Sequence, residues 1–358
     1  MNRARRSAGK VHIGSYGLSG LVVACALAAA LLFWLKPSRS DALKPNEAAV
    51  QYTLQLSDPI SPAAAGTIVA ISDGIFAQAG LNIRVHSGSV DNDAIAAVVA
   101  DENTIGLAST AGFLKARSEG LPIVAFAGSF AVSSVQFFTL PDTALLKPSD
   151  LEGKRIGYKG GPELSAVFYE FVRKNSLAQS RIVLIESGAA LQDLLDRKID
   201  VLLGRADVEG QQLSQLNIDY RTLSPDGYGV HAAGPVYFVQ ERALAKRRNL
   251  EKFITGTAEG WSAAYADYGR TIPKIANSTS PPLPIALTSR LMDNQRRFLR
   301  PFGTRFGELD ERRIRVLASQ LLLRRIIQEP VDLNRAINYD VLKEAYRKEA
   351  RNLDRSEP

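Results

Sequence analysis

Between residues 52 and 240 the chain repeats one unit: a short apolar run, a turn of serine, glycine, proline or aspartate, then a segment with helical spacing. Strands are expected at 52–56, 81–85, 105–108, 122–127 and 135–140, and a second set at 154–158, 181–185, 198–203 and 234–240. Between the first two, Ile68, Ile71, Ile75 and Ala79 share one side of a helix; Ser61 and Pro62 suit its start, and Gly80 its end. Ile95, Val98 and Val99 mark the next helix, and 111–119 a shorter one. Leu191, Leu194 and Leu195 then fall on one helical face, and 207–216 reads as a further helix. Strands separated by helices pair in parallel through right-handed crossovers. All-helical and all-β folds are therefore excluded. The order of the first set recurs in the second, which predicts an α/β protein with two similar lobes.

The turn with the least side-chain bulk lies in 150–165, Asp-Leu-Glu-Gly-Lys-Arg-Ile-Gly-Tyr-Lys-Gly-Gly-Pro-Glu-Leu-Ser. A strand at 154–158 runs into Lys159, Gly160 and Gly161. Pro162 suits a first helical position, where a missing N–H costs nothing. Leu164, Val167, Phe168, Phe171 and Val172 then make one apolar face of a helix over 163–175. Two glycines before a helix N-terminus let a ligand approach main-chain N–H groups closely.

This stretch resembles the second-lobe entry of bacterial solute-binding proteins, in the branch that serves importers of sulfonates, nitrate, taurine and thiamine-pyrimidine precursors. The likeness runs in order over roughly 50–345. Gly-Ile-Phe-Ala-Gln-Ala-Gly-Leu-Asn-Ile (74–83) is similar to a G-x-F-x-x-x-G-L-x-V segment of that family. Ile-Gly-Leu-Ala-Ser-Thr (105–110) and Gly-Leu-Pro-Ile-Val-Ala-Phe-Ala (120–127) stand where the family has such runs. Lys198 to Leu203 resembles its G-x-x-D-A run, with Val201 for the usual small residue and Arg197-Lys198 for the glycine. Phe253, Ala258 and Gly260-Trp261 resemble its late-helix pattern, and 332–345 its end.

The resemblance implies a two-lobed type II periplasmic-binding-protein fold. Lobe 1 would be discontinuous, 51–140 plus 235–345, and lobe 2 would span 141–234, with 346–358 frayed. Helices are expected at 250–268, 287–299 and 308–328, the first two separated by a break at Pro281-Pro282. The implied function is extracytoplasmic capture of a small molecule between the lobes and its delivery to an ABC importer. Permease subunits would be the partners; no cofactor, metal or catalytic residue is implied. A membrane-tethered sensor with the same lobes is the alternative. A pyrimidine synthase shares the fold but relies on a cysteine-rich segment.

Charge supports this class over nucleic-acid binding. The formal net charge is +7, yet 1–40 hold six basic residues and no acid, so the remainder is nearly balanced. Basic 1–15 would be cytoplasmic. Residues 16–35 carry no charge and are long enough to span a bilayer, with the body outside. An uncleaved signal anchor on the periplasmic face of the inner membrane is the leading reading, with 36–50 as tether. A cleaved signal peptide ending at Ser38-Arg39-Ser40, and a lipoprotein at Val22-Val23-Ala24-Cys25, remain open. Cys25 is the only cysteine, so no internal disulfide forms, and His12, His86 and His231 are scattered.

Ligands of parallel sheets bind beyond the carboxyl ends of the strands. The turns there nominate Ser57, Asp58, Ser87, Ser89, Ser109 and Thr110 in lobe 1, and Lys159, Gly160, Gly161, Arg205 and His231 in lobe 2. Each has a plainer reading: the serines and Thr110 as helix caps, Lys159 as a solvated surface residue, Arg205 as an ion pair with Asp207 or Glu209, His231 as structural. Arg205 and Lys159 favour an anion, since a guanidinium fork matches planar oxyanions. Trp261 reads as core. The arginines at 296, 297, 300, 312, 313, 315, 324 and 325 read as exposed faces of amphipathic helices.

Overall fold

The computed structural model describes residues 49–89, 93–299 and 304–347. The basic segment, the 16–35 anchor, the tether to residue 48 and the tail from 348 lie outside the described residues. Among those described, no helix is long and apolar enough to cross a membrane.

Two five-stranded sheets organise the chain. The first holds β1 (Val50–Leu56), β2 (Leu81–His86), β3 (Thr104–Ala108), β4 (Ile123–Gly128) and β10 (Val236–Gln240), in the order β2-β1-β3-β10-β4. The second holds β5 (Val135–Thr139), β6 (Arg155–Tyr158), β7 (Val183–Glu186), β8 (Val201–Arg205) and β9 (Arg221–Leu223), in the order β7-β6-β8-β5-β9. In each, three strands run parallel and the next is antiparallel. The antiparallel member arrives from the other sheet: β5 after the first four strands, β10 after the second sheet is complete. Strands β4 and β8 are buried along almost their whole length, hence their continuous apolar runs.

The helices are α1 (Ala65–Ser72), α2 (Ile75–Gln78), α3 (Ala94–Ala100) and α4 (Thr110–Ser118) in the first half. The second sheet carries α5 (Pro162–Lys174), α6 (Ala190–Leu195) and α7 (Glu209–Gln215). After β10 come α8 (Arg247–Ala266), α9 (Tyr268–Ser278), α10 (Ile285–Leu299), α11 (Glu311–Leu323) and α12 (Leu333–Ala336). The aromatic core of the first sheet joins α8 to the strands through Phe76, Phe126, Tyr237 and Phe253. Trp261 is buried there, stacked on Tyr265, as core.

Some boundaries differ from the sequence expectation. The helix expected from Pro62 to Gly80 is three pieces: a 3-10 turn at Pro62–Ala64, α1 and α2. Gly74, with φ +74, breaks the last two, and Ile71 faces solvent. Ser61 does cap the first piece, accepting from the Ala63 amide at 3.3 Å. Strand β8 begins at Val201 rather than at 198; just before it the Asp200 amide donates to the Arg155 carbonyl at 2.9 Å and its carboxylate accepts from the Arg155 amide and guanidinium. Strand β9 and helix α9 were not expected: β9 is only three residues long, and α9 carries Pro273 inside it.

Two crossings of the chain join the sheets. Residues 129–134 lead from β4 to β5, and 224–235 return to β10. They pair antiparallel where Val132 meets Ala233, and the Ser133 amide donates to the Ala232 carbonyl at 3.1 Å. Gly234 is required at this crossing: a Cβ there would lie 2.1 Å from the Phe130 carbonyl oxygen.

Candidate ligand-binding site

The carboxyl ends of the parallel strands of both sheets meet. Arg205, the last residue of β8, reaches from the second sheet to Asp58 in the turn after β1, with Nη2 donating to Oδ1 at 2.6 Å. The Arg205 side chain is 18% exposed and that of Asp58 40%, so the pair sits at the rim of a seam rather than free in solvent. Around it stand three more carboxyl groups. Glu163, in the first turn of α5, accepts the Ser133 hydroxyl at 2.7 Å. Asp207 accepts the Ser134 hydroxyl. Glu209, the first residue of α7, accepts the Arg205 main-chain amide at 2.7 Å.

Burial pushes the Glu163 carboxyl above the usual range, against the Arg205 charge and the Ser133 hydrogen bond that favour ionisation. Burial raises Glu209 similarly, against the Arg205 amide. For Arg205, burial disfavours the charge, but the carboxylates of Asp58 and Asp207 outweigh it and hold the guanidinium protonated. The expected ion pair of Arg205 with Asp207 or Glu209 is thus formed with Asp58 instead, across the seam. The guanidinium is occupied rather than open to an anion. A cavity of about 20 Å³, room for one water, lies between Pro62, Ala63, Asp207, Gln211 and Phe298; neither Arg205 nor Asp58 lines it.

The other candidates divide by what their side chains touch. Ser87 braces the turn that carries Asp58, since its hydroxyl accepts from the Ile60 amide at 3.0 Å and the Gly88 amide donates to the Asp58 carbonyl at 2.9 Å. Ser57 shares that turn; its amide donates to the Leu107 carbonyl at 2.9 Å. Ser89 follows Gly88 and has its own polar partner. Ser109 caps α4, accepting from the Gly112 amide at 3.1 Å. Thr110 is buried, and its hydroxyl donates to the Gly234 carbonyl, so it ties α4 to the return crossing.

Opposite them, Gly160 and Gly161 both have φ +98, and Gly161 forms the start of α5 with open space where a Cβ would be. A side chain at Gly160 would be strained by its positive φ, and its Cβ would displace the Glu186 carboxylate, 2.6 Å away. Glu186 in turn accepts from the Tyr158 hydroxyl at 2.9 Å; burial and that carboxylate push the phenol up to about 12. Lys159 is exposed beside them. The α5 helix packs on α4 through Ala166, so the turns after β3 and β6 lie at the same seam. His231 is not brought to Arg205: its Nδ1 lies 3.0 Å from Asp226, which also takes Arg313 at 2.9 Å.

Sequence reasoning missed Ser133, Ser134 and Glu163. The two serines stand on a crossing, outside any strand-to-helix turn. An acidic residue in a first helical turn ordinarily complements the helix dipole, so Glu163 carried no distinct signal. Its position directly after Gly160-Gly161 was the available clue. A wider groove of about 410 Å³ between α3 and α4 is lined by Asp93, Ile95, Lys115, Glu119 and Leu121, and none of the candidates borders it. Among the described residues, no group of three or more histidine, cysteine or acidic side chains could hold a metal ion.

Known proteins resemble this chain in sequence or in fold. A formylaminopyrimidine-binding protein of Halalkalibacterium halodurans is 25% identical over 206 residues, 56% of this chain and 60% of that protein, so the match spans less than two thirds of its length. The periplasmic aliphatic sulphonate binding protein SsuA of Escherichia coli superposes with a TM-score of 0.67 at 13% identity, over 80% of this chain and 97% of its own. The desulfurization enzyme DSZB superposes at 0.58 with 14% identity, over 83% of this chain and 99% of its own. At these identities the two structures show a shared fold and nothing finer. The model of the NMT1/THI5 like family matches residues 61–268, more than half of the chain, and the chain belongs to that family.

Proposed function

We propose that this protein is an extracytoplasmic solute-binding protein, which captures a small molecule between two lobes and delivers it to an ABC importer. Lobe 1 would comprise 51–140 and 235–345, and lobe 2 would comprise 141–234. The permease subunits would be its partners, and the periplasmic face of the inner membrane its place, with 16–35 as anchor. The observation that supports the reading is the contact of Arg205 with Asp58: the carboxyl ends of the parallel strands of two sheets, the ends beyond which ligands of such sheets bind, come together there. Hinge closure around a solute is the known behaviour of such a pair of lobes.

Relatives described as binding a formylaminopyrimidine and aliphatic sulphonates support a ligand of the sulfonate, nitrate or pyrimidine-precursor class. An enzyme of the same fold keeps catalysis in view. Here the Ser109 hydroxyl caps a helix and His231 faces Asp226, which supports binding without turnover. Mass spectrometry of small molecules released on denaturing the purified chain tests the proposal. One stoichiometric compound, returned chemically unchanged after incubation with the protein, is the expected result. Conversion of that compound, or none at all, would overturn it.

A further inference from the structure

The four carboxyl groups around Arg205 are not equivalent. Glu163, Asp207 and Glu209 are each tied within 133–209 by Ser133, Ser134 and the Arg205 amide. Asp58 comes from the opposite side of the seam, and among the described residues its carboxylate is hydrogen-bonded to Arg205 alone. Its turn is held in place independently of that pair, by Ser87 and Gly88. A Cβ at Gly88 would lie 2.2 Å from the Ser57 main chain, so the two turns are pressed together. Asp58 is therefore a fixed carboxylate presented to a guanidinium, as a ligand carboxylate would be.

We propose that Asp58 determines the charge specificity of the cleft: it occupies Arg205 as a built-in counter-anion, so that free anions are disfavoured and neutral or cationic solutes with N–H donors are preferred. The inference rests on the solute-binding reading above and narrows its ligand class. A sulfonate or carboxylate entering here must break a 2.6 Å charged pair and leave Asp58 unpaired near Asp207. An N–H donor leaves the pair intact and finds carboxylate oxygens as acceptors, which ionised or not can accept. Arg205, which the sequence suggests as an anion receptor, is then already answered by Asp58.

The test uses the full chain and ethanesulfonate as probe, by isothermal titration. Asp58→Asn keeps the shape of the side chain and removes its charge. It should bind ethanesulfonate about tenfold tighter than the parent, the order of effect of one partly screened charge at contact distance. Asp58→Glu, which restores a carboxylate, should return the affinity to the parent value, and Arg205→Gln in the Asp58→Asn background should abolish the gain. Equal affinity in parent and Asp58→Asn would overturn the inference, as would a gain that survives loss of Arg205. Released solutes are read by mass spectrometry in parallel. A captured solute with no gain in Asp58→Asn overturns this inference alone; no captured solute and no ethanesulfonate binding in any form overturns the solute-binding reading with it.

Discussion

Glu163 shows how a single carboxyl acquires its character from where the fold places it. It lies in the first turn of α5, where a helix dipole favours a negative charge, yet burial raises its pKa. A carboxyl whose folded pKa is raised costs the native state at high pH. Its contribution is favourable below the unfolded value of about 4.3 and is lost as pH rises through the folded value. Glu163→Gln, which still accepts from Ser133, should therefore raise the melting temperature at pH 7, by on the order of 2 °C. The difference should vanish near pH 4. A gain of equal size at both pH values would show that packing, not ionisation, is responsible. At this scale the sequence was legible where one residue's backbone decides its role: Gly160 and Gly161 take the left-handed conformation that two consecutive glycines before a helix suggest. It was not legible for Thr110, whose hydroxyl meets a carbonyl 124 positions away.

Among elements, the two crossings carry the most constraint per residue. Their antiparallel contact leaves no room for a side chain at Gly234. Gly234→Ala should cost about 1–3 kcal/mol through displaced main chain, read as a lower denaturant midpoint. Because Thr110 donates to the same residue's carbonyl, α4 should lose order with it, visible as faster amide exchange at 110–118. Unchanged exchange there would separate the two. The elements themselves followed from periodicity wherever one face is apolar, as in α5 with Leu164, Val167, Phe168 and Phe171 buried. Short β9 and proline-containing α9 were illegible, because neighbours rather than local propensity hold them.

For the whole molecule, α11 changes the picture of two lobes joined only by crossings. It packs its apolar side, Ile314, Leu317 and Leu321, into a core shared with α4 and with Ala166 of α5. Arg313 reaches Asp226, Gln320 donates to Glu170 at 2.9 Å, and Arg324 lies 4.1 Å over the Tyr169 ring. Arginines expected to line a solvated face thus include two that fasten α5 and the return crossing to the C-terminal segment. Arg313→Ala should release part of this strap. The pair is partly exposed, so its loss should cost no more than about 1 kcal/mol, but amide exchange in 129–134 and 231–236 should quicken. Burial opposes ionisation of Asp226, but Arg313 and His231 outweigh it and lower its pKa. The pair therefore stabilises above about pH 4 and is lost as pH falls, so parent and variant should converge in acid. A difference that persists there would assign the effect to lost packing.

What the sequence by itself determined is the alternation of strands and helices, the repetition of that order, and the turns at the strand ends, because these depend on spacing between near neighbours. Which charges would meet across the seam was left to the tertiary structure. Asp58 and Arg205 are 147 residues apart, and no local pattern distinguishes a guanidinium open to a ligand from one already answered from beyond the other sheet. That choice depends on how the crossings and the strap bring the strand ends of the two sheets together. Electrostatics, unlike periodicity, is fixed only once distances are.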